Sequence, residues 1–206
     1  MKKRDDGSIS SVNPVDAMGM VHGVRLTYYS DGKSYYSKVS FFHGKKQGPA
    51  IFYYRNGQVF KHTGFQFGKH HGPARKYYKN GSLMAEYEYD QGMMLPGLKE
   101  YKSDGSLITD YEDLEFREID LRSRRNRIDL EISCPIKSSR IVYYVVKTGT
   151  DGKVSYVLQE NKHGFASIPI YIQPGTPPRE IIKIRAEIPT ELGNVWVKDY
   201  TYQLGS

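Results

Sequence analysis

Gly44-Lys45-Lys46-Gln47-Gly48-Pro49-Ala50-Ile51-Phe52-Tyr53-Tyr54-Arg55-Asn56-Gly57-Gln58 is followed 24 residues later by Gly68-Lys69-His70-His71-Gly72-Pro73-Ala74-Arg75-Lys76-Tyr77-Tyr78-Lys79-Asn80-Gly81-Ser82-Leu83. The second stretch rewrites the first. Working outward, Gly7, Gly32, Gly57, Gly81 and Gly105 form one series at steps of 25, 25, 24 and 24, each after Asp or Asn. Gly19, Gly44, Gly68 and Gly92 form a second series, and Gly23, Gly48, Gly72 and Gly97 a third. Three interleaved series in phase mark an internal repeat. Asx-Gly between alternating apolar residues is a hairpin signal, and a type I′ turn is expected there because both central residues then take positive φ. Each unit therefore reads as strand, tight turn, strand and Gly-xxx-Gly loop, with four to five units stacking into an antiparallel sheet.

Aromatic pairs precede the turns: Tyr28-Tyr29, Tyr53-Tyr54 and Tyr77-Tyr78, with Tyr101 alone in the fourth unit. If one face of the sheet is used, the expected contact residues are Tyr29, Tyr54, Tyr78 and Tyr101, rimmed by Lys45, Lys46, Lys69 and Arg75. The reading fits the composition, in which 18 Tyr stand against one Trp among 206 residues.

The quoted repeats resemble the bacterial variant of the MORN repeat, and the likeness runs over about residues 1 to 110. The resemblance implies an all-β scaffold or interaction surface with no catalytic residues. Some bacterial members are labelled antitoxins or immunity proteins of toxin systems, and eukaryotic relatives have been linked to phospholipid membranes. Pro-Ala after Gly48 and Gly72 departs from the eukaryotic Gly-x-Gly pattern, which argues against carrying lipid binding over.

After Tyr111 the periodicity changes. Residues 112–127 are charged and free of glycine, and read as a linker strand. Short alternating runs follow at 128–134, 140–148, 154–160, 165–172, 180–188 and 195–202, separated by Gly and Pro turns. Such spacing predicts an immunoglobulin-like or fibronectin-like sandwich over 128–206. The expected fold is therefore all-β: an elongated repeat sheet over 1–111, a charged linker, and a sandwich.

The chain carries a formal charge of +7, unevenly spread. Residues 25 to 79 hold eleven Lys/Arg and one acid, a net of +10, while 80 to 120 hold eleven acids and three bases, a net of −8. Lysines interleaved with tyrosines suit a polyanion as well as a protein. Two function classes follow. The first is a non-enzymatic module that binds a protein partner, such as a secreted toxin, an envelope component or part of a larger assembly. The alternative is a binder of nucleic acid, anionic lipid or acidic glycan.

No Gly-x-Ser-x-Gly elbow, Walker loop or His-Glu-x-x-His occurs, so no enzyme, metal or cofactor is expected. The histidines 22, 43, 62, 70, 71 and 163 read as solvated loop residues without a nearby acid. The lone Cys134 reads as a small core residue and rules out an intramolecular disulfide. No run of 18 apolar residues is present, so no membrane-spanning helix is expected. Only six residues precede Gly7. The first unit is thus either a degenerate cap or the remainder of a longer one. The first case, with Met1 as the natural start, implies a cytoplasmic protein; the second leaves a periplasmic or surface location open.

Overall fold

The Asx-Gly steps do turn the chain, with a different geometry from the one expected. At Asn56-Gly57, Gly57 has φ +86°, whereas Asn56 keeps negative φ. The Gly57 N–H bonds to the Tyr54 carbonyl at 2.9 Å, and the Tyr54 N–H bonds to the Gln58 carbonyl at 2.8 Å. This is a three-residue loop, a type I turn followed by a left-handed glycine that bulges the strand. The Asn56 side chain accepts the Gln58 N–H, and Asp6, Asp31, Asn80 and Asp104 do the same in their own turns. An Asx side chain that caps the turn in this way explains the residue choice without positive φ. The type I′ turns lie at the other end of the hairpins: His43-Gly44, Phe67-Gly68 and Gln91-Gly92 each have two consecutive positive-φ residues.

The structure, a computed structural model, describes residues 1–205. The chain forms two units, Met1–Thr109 and Asp110–Ser206. Strands of the first unit make a 12-stranded antiparallel sheet whose path follows the chain order, with the short strands Lys69–His70 and Met93–Met94 off that path, each paired with the strand before it. Its longest strands are Tyr35–Phe42, Lys45–Tyr53, Val59–Gln66 and Leu83–Asp90.

Register fixes two faces. Val39 pairs with Ala50 and Ala50 with Thr63, while Ala74 pairs with Tyr87. This face carries the buried row Val39, Ala50, Thr63, Phe65, Ala74, Ala85 and Tyr87. Cationic side chains lie across its rings: Arg25 over Phe41, Lys46 over Phe65, and Lys61 over Tyr87 and Tyr89. Their apolar stems cover the rings while the charged ends reach outward. On the opposite face Lys38 pairs with Ile51, Ile51 with His62, His62 with Arg75, and Arg75 with Glu86.

The second unit is a seven-stranded sandwich. One sheet contains Glu115–Asp120, Arg127–Ser133 and Phe165–Tyr171; the other contains Val154–Gln159, Val142–Thr148, Ile181–Pro189 and Val195–Gln203. Alternate residues of both sheets meet in one core: Ile128, Leu130, Ile132, Ala166, Ile168 and Ile170 from the first, Tyr143, Ile182, Ile184 and Ile188 from the second. The Tyr143 hydroxyl donates to the Gly164 carbonyl at 2.8 Å, so the buried phenol is satisfied. Cys134 is buried as expected, and burial raises its thiol pKa.

The stretch 112–127 departs from the linker reading. Leu114 enters the sandwich core, and Glu115–Asp120 pairs residue by residue with Arg127–Ser133. Two of its acids are held by a strand far along the chain. Asp113 accepts Lys198 Nζ at 2.6 Å, and Glu118 accepts the Tyr202 hydroxyl at 3.1 Å.

Candidate functional site

The tyrosines divide between the two faces. Tyr29 packs on Tyr36, Tyr36 on Phe52, and Tyr54 on Phe60. Tyr28 packs on Tyr35 and Tyr35 on Tyr53, in a set capped by Lys38 on the opposite face. Consecutive residues of a strand point to opposite sides, so each Tyr-Tyr pair splits. Tyr101 belongs with the first member of each pair: it is opposite Leu107 as Tyr77 is opposite Leu83. Its hydroxyl reaches Glu86 at 3.1 Å, next to Arg75 and Lys99. The expected single row of Tyr29, Tyr54, Tyr78 and Tyr101 is therefore corrected. Tyr101 and Arg75 lie on the face opposite the other three.

Those three tyrosines have a structural task. Tyr29 donates to the Tyr53 carbonyl at 2.6 Å, Tyr54 to the Tyr77 carbonyl at 2.8 Å, and Tyr78 to the Tyr101 carbonyl at 2.8 Å. Each phenol hooks its unit to the next. Arg4 occupies the equivalent place in the first unit and donates to the Tyr28 carbonyl at 2.8 Å. Burial raises the pKa of Tyr54 and Tyr78, which keeps them as donors. Spacing alone hid this role, because 24 residues separate Tyr29 from its acceptor.

The opposite hairpin ends carry a second set of hooks. The N–H groups of Gly44, Gly68 and Gly92 bond to the carbonyls of Val21, Lys46 and His70 at 2.8, 2.9 and 2.7 Å. Positive φ is required there, and only glycine takes it without strain. Before these glycines, however, stand His43, Phe67 and Gln91 with φ between 43° and 50°. A bulky residue in the left-handed region is unfavourable. Phe67 is also 70% exposed and Phe42 on the neighbouring tip is 56% exposed. Met93 is exposed at the next tip, as is Met18 in the first unit. Successive tips stand roughly 10 Å apart, the width of two strands. Lys45, Lys46 and Lys69 follow the tip glycines and are exposed, so this edge alternates apolar knobs with positive charge.

The other cations are less available. Lys61 and Lys76 lie on the buried-row face, where desolvation lowers both pKa values and Glu100 partly offsets the effect at Lys76. Arg75 faces Glu86 at 3.7 Å. Desolvation, then Lys61 and Lys46, lowers the pKa of His70, whose ring stacks on Tyr89. On the turn side, backbone N–H groups of Lys33 and Ser34 hold the Asp31 carboxyl down to about 2.

One expectation about the histidines is overturned. His43 has an acid beside it: its Nδ1 lies 2.7 Å from Asp16 Oδ2, across 27 residues of sequence. Asp16, His22 and His43 are a group that could hold a metal ion. His71 likewise faces Asp90 at 3.3 Å.

In the sandwich, a cleft of about 810 Å³ is lined by Asp120, Arg122, Asn126 and the Gln173–Pro177 turn. Asp120 and Arg122 pair at 2.6 Å there, and the lining includes no His, Cys or second carboxylate. Among the described residues, no helix is long and apolar enough to cross a membrane.

Two adjacent repeats match a known family. The family described as MORN repeat variant matches residues 46–66 and 71–91. Both segments lie within the 12-stranded sheet and include Lys46 and Arg75, while Phe67 falls between them. Repeats of this kind are non-catalytic modules that bind proteins or lipids. No curated protein matches the chain.

Proposed function

We propose that the repeat sheet is a non-enzymatic protein-binding module that contacts its partner along the edge of hairpin tips. Phe42, Phe67 and Met93 supply the apolar contact, and Lys45, Lys46 and Lys69 the charged surround. The partner surface is apolar with acidic residues at its margin. The single observation that carries this reading is Phe67. It holds a left-handed backbone conformation while its ring stands 70% exposed. Asn or Gly at this place would fold more readily, so the ring has a use outside the fold. Exposed aromatics flanked by cations match the make-up of binding hot spots, whose centres are aromatic and whose rims are polar. Tyr29, Tyr54 and Tyr78 then act as staples between units.

A peptide-display selection on the immobilised full chain tests this. Selected peptides are expected to combine aromatic or aliphatic anchors with Asp and Glu. Phe67→Asn should abolish their binding while raising stability by up to about 1 kcal/mol. Lys45→Glu with Lys69→Glu should weaken binding at low salt most strongly. Heparin and vesicles containing anionic lipid are the counter-probes. Tight, salt-sensitive binding to either, unchanged by Phe67→Asn, would replace the protein reading with the polyanion one.

A further inference from the structure

We infer that Asp16, His22 and His43 form a three-ligand site for a divalent metal of the zinc type, which clips the first repeat unit to the second. The three offer one oxygen and two ring nitrogens, all within 4.8 Å of one another. This mixed N/O set suits Zn²⁺, with water in the fourth position.

The pair at 2.7 Å between His43 and Asp16 is satisfied as a hydrogen bond and by itself implies no ion. The third member adds the requirement. His22 Nδ1 is buried and has no hydrogen-bond partner. A buried polar atom left without a partner is unfavourable, and a metal bond through it would satisfy it. His22 also packs its ring against His43, with centroids 4.9 Å apart. Around a tetrahedral zinc at about 2.1 Å, ligand atoms sit roughly 3.4 Å apart. The His43–Asp16 contact at 2.7 Å would therefore open by roughly 0.7 Å on binding. His43, with its side chain 40% exposed, gives the ion a way in.

The supporting shell is already in place. Asp16 Oδ1 accepts the N–H groups of Met18 and Met20, both at 2.9 Å, which leaves Oδ2 toward His43. The His22 N–H bonds to the Pro14 carbonyl, and the Gly44 N–H next to His43 bonds to the Val21 carbonyl. Backbone bonds thus fix both ligand-bearing loops, as ordered metal sites require. Two ligands come from the first unit and one from the second. The later tips have Phe67 and Gln91 where His43 stands, so the set is peculiar to this junction.

The test is a zinc titration of the untagged full chain in competition with a chromophoric chelator. One zinc per chain is expected, with a raised melting temperature, and Co²⁺ in its place should give the visible absorption of a tetrahedral site. His22→Gln and His43→Gln should each weaken zinc binding by about 100-fold. His71→Gln, beside Asp90, should leave it unchanged. Circular dichroism without metal checks that each variant keeps its sheet. Absence of stoichiometric zinc uptake by the wild-type chain overturns the site. So does uptake that survives His22→Gln and His43→Gln together.

Discussion

In the repeat sheet the most deeply buried positions include small or polar residues: Ala50, Thr63, Ala74, Ala85 and Glu100. In the sandwich they are large: Tyr143, Ile128, Leu130, Ile132, Ile184 and Ile188. The first region buries its centre under side chains of neighbouring strands in one layer. The second interlocks two layers. A two-layer core gathers its stability from many mutual contacts. A row of units relies on each unit's links to the next. Those links are the tyrosine hydroxyls at one end of the hairpins and the glycine N–H groups at the other.

This contrast yields expectations of graded size. Leu130→Ala in the sandwich core should cost about 2–5 kcal/mol, since a two-layer core leaves a cavity it cannot close. Trp196, the only tryptophan, packs on that core, so its fluorescence during urea unfolding reports the loss. A loss well under that range would mean that the sandwich yields as readily as a single layer.

A smaller effect is expected at Gly64 in the repeat sheet. A Cβ there would lie 2.5 Å from the His71 carbonyl oxygen, on a backbone that cannot step aside alone. Gly64→Ala should therefore destabilise by about 1–3 kcal/mol, read from thermal melts by far-ultraviolet circular dichroism. A neutral result would show that neighbouring units shift freely against one another.

The smallest effect separates the two tyrosine sets. Tyr54→Phe removes the bond to the Tyr77 carbonyl and should cost about 1 kcal/mol. Tyr53→Phe, on the other face, should cost less. Amide exchange at Gly57 and Gln58 would reveal the difference. Equal costs would remove the case for an inter-unit staple.

Much of the fold was legible because its signals are local. Glycine period, Asx turn residues and alternating apolar runs each act over a few positions. The expected tyrosine row differs from the observed one by a single place in the repeat period. Register shifts between Phe52 and Tyr53, and again between Lys76 and Tyr77, accompany the bulged turns. The side-chain period in a strand is two, so one residue decides the face. The place of Tyr101 in the period is that of Tyr28, Tyr53 and Tyr77, and the place of Tyr29, Tyr54 and Tyr78 falls to Lys102. The lysines at the tips were found by charge. The exposure of Phe42 and Phe67 has no signature in a single sequence.

The sequence by itself determined an all-β chain in two parts, with hairpins repeating every 24 or 25 residues and a sandwich of alternating strands. Only the tertiary structure decided which tyrosines staple and which lie on the opposite face, that Asp16 meets His43 across 27 residues, and that Asp113 and Glu118 join the sandwich. The reason is physical. Turn and strand preferences reside in neighbouring residues, whereas a contact between distant ones exists only after strand register has brought them together.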